Sequence, residues 1–98
     1  MEFIVAEKQG PHGLLLVIKD KNLLGKKVEE RNVQLDLLSS FYKGVEKTEE
    51  EVCALIMEAR DIHFTGEAAV ALGVRLQLIE QSHILLVQGV PHAEVAMG

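Results

Sequence analysis

One cysteine, two prolines, no tryptophan and a single tyrosine leave this chain with few of the residues that usually advertise a function. The lone Cys53 excludes an internal disulfide and a cysteine zinc site, in keeping with a reducing compartment. It sits in an apolar helical run and reads as a small core residue. No apolar stretch approaches the ~20 residues that span a bilayer. The start, Met1-Glu2-Phe3-Ile4-Val5-Ala6, lacks the basic opening of a secretory signal. The expectation is therefore a cytoplasmic protein with no membrane partner. Nucleophile-elbow, phosphate-loop, His-Glu-x-x-His and dinucleotide signatures are all missing, so an enzyme ranks second to a binding protein. There is no internal repeat, linker or low-complexity segment.

A net charge of −5 argues against duplex DNA as a partner, because neutralising phosphates supplies most of such binding. The charge is unevenly spread. Lys19, Lys21, Lys26, Lys27 and Arg31 cluster early, whereas Glu46, Glu49, Glu50, Glu51, Glu58 and Asp61 gather in mid-chain. A basic cluster with so few aromatics to stack on bases keeps RNA behind a protein partner.

Ninety-eight residues with an ordinary globular balance of apolar and charged side chains make one domain, residues 1–98. Thr48-Glu49-Glu50-Glu51 is a capping box, in which the hydroxyl accepts from the backbone three residues on and Glu51 reaches back. Val52, Leu55, Ile56 and Ala59 then recur at helical spacing. Thr65-Gly66-Glu67 opens a second helix whose inner stripe is Ala69, Leu72, Gly73 and Leu76. Gly73 costs about 1 kcal/mol against Ala inside a helix, which implies a close packing contact if it stays helical. Alternatively the helix ends at Gly73 and Val74, Leu76 and Leu78 begin a strand.

The remaining segments read as strands. Residues 3–8 and 14–19 flank Gln9-Gly10-Pro11-His12-Gly13 and form an antiparallel hairpin, with His12 in the loop. Leu14-Leu15-Leu16-Val17-Ile18 has no polar face and suits a central strand. Asp20 caps a short turn closed by Gly25. A strand begins at Val28, and Val33, Leu35 and Leu37 alternate with polar residues. Ser39-Ser40-Phe41-Tyr42-Lys43-Gly44 makes a capped turn. Ile84-Leu85-Leu86-Val87 reads as a buried strand stopped by Gly89 and Pro91, with residues 93–97 free to pair at an edge. The sum is an α+β fold, a mainly antiparallel sheet of four to six short strands packed against two helices at about 48–60 and 66–78.

Taken in order, Leu24-Gly25-Lys26, Phe41-Tyr42-Lys43-Gly44, Gly66-Glu67 and Gly89-Val90-Pro91-His92-Ala93-Glu94 resemble the archaeal domain of unknown function family 424 over nearly the whole chain. Gly-Val-Pro-His-Ala is the most specific piece. The resemblance implies a small archaeal intracellular protein and no particular activity. His63 and Glu94 depart from the family pattern, which has asparagine and glutamine there.

Two functions remain in view. The preferred one is a non-catalytic interaction or accessory module, with the translation or RNA machinery as one setting, a protein partner or a homo-oligomer, and no cofactor. Its candidate binding residues are His63, Gly66, Glu67, Gly89, Pro91, His92, Lys26 and Tyr42. Free backbone N–H groups beside Gly66 would face the partner, and Pro91 would hold His92 at a fixed angle. The alternative is a small-ligand or metal-dependent enzyme using His63, Glu67 and His92, with Asp61 nearby in sequence, since imidazoles and carboxylates ligate metals and exchange protons near neutral pH. A pocket converging on those three side chains would favour chemistry. His83 is expected at the surface.

Overall fold

The hairpin at the start of the chain nucleates the sheet. In the computed structural model, which describes residues 2–11, 13–21, 27–30, 33–36 and 44–97, β1 (Glu2–Gly10) pairs antiparallel with β2 (Gly13–Asp20) from Phe3↔Asp20 to Gly10↔Gly13. β3 (Lys27–Glu30) and β4 (Val33–Asp36) form a separate two-stranded ribbon. Then follow β5 (Val45–Thr48), α1 (Glu49–Ile56), β6 (Ala59–Thr65), α2 (Glu67–Arg75), β7 (Leu85–Val87) and β8 (Val90–Ala96). The main sheet runs β5-β1-β2-β6-β8-β7. Its β2–β6 pairing is parallel and the others are antiparallel. This is an α+β fold. No described helix is long and apolar enough to cross a membrane.

The capping box forms as the sequence requires: the Thr48 hydroxyl accepts from Glu51 N–H at 3.3 Å and Glu51 Oε1 accepts from Thr48 N–H at 3.0 Å. These bonds hold the Glu51 carboxyl below its ordinary pKa. The first helix is shorter than expected, ending at Ile56 rather than near residue 60. The next segment became the sheet-centre strand β6, whose Ile62 and Phe64 are buried. Ala59 belongs to that strand. Two centre strands let Phe64 and Leu16 meet under the helices, and full burial of such a side chain contributes about 1.5–3 kcal/mol.

Both helices pack on one face of the sheet, where Phe3, Val5, Leu16, Ile18, Ile62 and Phe64 meet Val52 and Ile56 of α1 and Ala69 and Leu72 of α2. Cys53 packs against this core. The second helix stops at Arg75, not near 78, because Gln77 turns into the left-handed region at φ 62°. Leu78 N–H then reaches Gly73 O at 2.9 Å and Gln77 N–H reaches Val74 O at 3.0 Å, which closes the helix end with its own carbonyls. The chain doubles back and seats Ile79 on Gly73. A Cβ there would come within 2.3 Å of Ile79 Cδ1 and 3.3 Å of Phe64 Cζ, so Gly73 is the close contact its helical position implied. The alternative strand after Gly73 does not form.

At the C-terminal end, β7 and β8 make a hairpin through Gln88 and Gly89, both at positive φ, the backbone of a two-residue turn. β7 corrects the expectation of a buried strand. It is the last strand of its sheet, and Leu85 and Leu86 are 60% and 63% exposed. Pro91 does not stop a strand; it lies in β8 just before the first pair with β6, Thr65↔His92, where it faces one neighbouring strand. Residues 93–96 pair with β6, and β7 reaches only residues 90–92, so this end of β8 has a single strand neighbour. His12, Lys26, Tyr42 and the turns over 22–25 and 39–43 lie outside the described residues.

Candidate functional site

Alternation along β2, β6 and β8 sends polar side chains to the face away from the helices. Register sets Lys19 beside Thr65, Thr65 beside His92, and His63 beside Glu94. The side chains meet accordingly. His63 Nε2 lies 2.8 Å from Glu94 Oε2, so the ring donates to the carboxylate. The Thr65 hydroxyl lies 3.1 Å from His92 Nδ1. The two imidazole centroids are 5.8 Å apart. The two positions that depart from the family resemblance, His63 and Glu94, are thus direct cross-strand partners.

Electrostatics on this face oppose charging. Burial, followed by the positive field of His63, pushes His92 below 6.5, with Glu94 pulling weakly the other way. Lys19 is buried at 1% exposure, and desolvation lowers its ammonium to about 8. The sequence put Lys19 in the basic cluster and Thr65 at the opening of α2, and neither in this site; Thr65 ends β6 instead, and Gly66 is the N-cap. The signal for this site was the even spacing of Lys19 from Val17, which commits a lysine to a covered sheet face.

His63 and His92 therefore converge in space, but Glu67 does not join them. Residues 91 and 92 point to opposite faces, and Glu67 begins α2 on the Pro91 side, so the sheet separates it from the histidines. Glu94 occupies the place beside His63 that the alternative reading gave to Glu67. Among the described residues no three His, Cys, Asp or Glu side chains are gathered to hold a metal ion. His83 is exposed on a single 3-10 turn.

Three of the N–H groups at this helix start, those of Gly66, Ala68 and Ala69, have protein acceptors. Asp20, arriving at the end of β2, accepts from Ala68 N–H at 3.0 Å and from Ala69 N–H at 2.7 Å. Gly66 N–H donates to Pro91 O at 2.8 Å. Asp20 serves as the cap of α2, and the short turn that the sequence also assigned to it runs into residues outside those described. Gly66 has φ 108°, and a Cβ would come within 2.3 Å of the Asp20 carboxyl carbon, so the turn requires glycine here.

An open groove of about 430 Å³ lies on the helix side between α2 and the β7–β8 hairpin, walled by Val70, Ala71 and Val74 on one side and Ile84, Leu86 and Pro91 on the other. Glu67, Arg75 and Gln81 stand at its rim. Pro91 is the one residue of the candidate turn at 89–92 that reaches it with Glu67. Gly89 adopts φ 80°, the conformation its turn requires, and a Cβ added to it would meet no atom within 4 Å.

The family model described as protein of unknown function (DUF424) matches residues 7–97. The crystal structure of an uncharacterized conserved protein from Methanopyrus kandleri superposes with a TM-score of 0.78 at 19% sequence identity, covering 100% of this chain and 96% of that one. At that identity the likeness concerns the fold alone. No curated protein matches the chain.

Proposed function

The chain belongs to the DUF424 family of proteins of unknown function, and from that premise we propose that it is a non-catalytic interaction module that docks an apolar segment of a partner protein between α2 and the β7–β8 hairpin. The observation that carries this reading is the separation of the groove from the two histidines. The concave apolar surface is on the helix side, while His63 and His92 lie on the other face with partners of their own. A pocket of this size falls within the range that holds ligands. Exposed Leu86, the partner of Pro91, continues the apolar surface onto the last strand of the sheet.

A protein partner is favoured over RNA. Of the early basic cluster, Lys19 is buried and Lys21 is ion-paired to Glu46 at 2.6 Å and to Glu2 at 3.8 Å. Nothing among the described residues speaks for translation in particular. The reading assigns the cytoplasm as the compartment, with the single cysteine as its support.

Selection of random twelve-residue peptides on the wild-type chain, with counter-selection on Leu86→Asp, tests the proposal. Enriched peptides are expected to share an apolar centre and to bind the wild type at least tenfold more tightly than the variant. Absence of enrichment, or equal binding to both, overturns it.

A further inference from the structure

We infer that the segment docked in this groove carries a cation at the end that meets Glu67 and a carboxylate at the end that meets Arg75, with about three apolar residues between. The inference rests on the groove reading above and adds the chemistry of its occupant. Glu67 is the first residue of α2 and Arg75 the last, both at the rim of the groove. Eight residues of helix separate them, about 12 Å. An extended peptide crosses that distance in about four residues.

The rim charges are available to a partner. Glu67 is exposed and makes no ion pair among the described residues. Arg75 donates one Nη to Glu49 Oε1 at 2.6 Å and is itself exposed, so its planar fork keeps further donors for a second carboxylate. Between these ends the walls are Val70, Ala71, Val74, Ile84, Leu86 and Pro91. A segment laid along them covers both rim charges, and an uncharged one leaves them less hydrated without compensation. A segment laid the wrong way sets cation against guanidinium and carboxylate against carboxylate. Opposite rim charges therefore select direction as well as composition.

Three end-blocked peptides test this by titration into the full-length, nitrogen-15-labelled chain: Lys-Val-Leu-Val-Glu, its reverse Glu-Val-Leu-Val-Lys, and neutral Gln-Val-Leu-Val-Gln. One charged order is expected to bind about two- to fivefold more tightly than the neutral peptide, the range of exposed ion pairs, and the other order no more tightly. In the double variant Glu67→Lys/Arg75→Glu the preferred order is expected to invert. The single variant Glu67→Lys, which leaves the Arg75–Glu49 pair intact, is expected to reduce the preference. If all three peptides shift the groove amides with equal affinity, and Leu86→Asp abolishes those shifts, the charge inference falls and the groove reading stands. If the preference persists unchanged in the double variant, the charge inference falls as well. If no peptide shifts the groove amides, both fall.

Discussion

Neighbouring residues of one strand do opposite work in this molecule. Asp20 points to the helix side and ties β2 to the start of α2 through two backbone N–H groups; Lys19, one residue earlier, is buried on the other face beside Thr65. Pro91 and His92 divide in the same way, one walling the groove and the other bonded to Thr65. The helix face buries apolar surface and leaves an unfilled groove, whereas the opposite face carries polar side chains that already answer one another. On the proposed reading, this difference puts docking on the first face and leaves the histidine cluster a structural part.

The largest effect expected from breaking this comparison comes from Lys19. It loses its proton near 8 in the folded chain against an ordinary 10.5. Below 8 the ammonium is charged in both states and folding bears the cost of burying it; above 10.5 it is neutral in both. Stability is therefore expected to climb between those values, by about 3 kcal/mol. Lys19→Met should flatten that rise in urea unfolding measured across the window.

Asp20→Ala strips the cap from α2 and should cost about 2–3 kcal/mol in chemical unfolding, with Ala68 and Ala69 amides losing exchange protection first. Thr65→Val keeps the shape and removes the hydroxyl from His92, at an expected cost of about 1 kcal/mol in the same assay. A smaller effect belongs to acid. Because the folded pKa of His92 is lowered, stability is present above its ordinary 6.5 and is lost as pH falls through the folded value. His92→Gln should shrink that acid loss in thermal melts between pH 7 and pH 5.

Much of this fold was legible because its signals are local. Thr48 and Glu51 stand three residues apart and cap α1 without help from the rest of the chain. The first hairpin is bounded by its own glycines and proline. β6 was harder. Ile62 and Phe64 alternate with Asp61, His63 and Thr65, but this short pattern follows a helical run directly, so it passed for the junction between two helices. Its strand state is imposed by pairing with β2 and β8, distant in sequence. The Asp20 cap is likewise invisible locally, since its acceptors and donors are 48 and 49 residues apart. The same holds for the site. The meeting of His63 with His92 and the replacement of Glu67 by Glu94 depend on antiparallel register, and the groove exists because Gln77 and Ile79 end α2 and fold the chain back.

The most direct test compares Leu86→Asp with His92→Ala, following binding of the neutral Gln-Val-Leu-Val-Gln peptide by amide shifts and stability by thermal melting. Leu86→Asp is expected to abolish binding while leaving the melting temperature nearly unchanged, because Leu86 is already exposed. His92→Ala is expected to lower the melting temperature and keep the affinity. Loss of binding in His92→Ala, with full binding in Leu86→Asp, would move the functional surface to the histidine face and contradict the account.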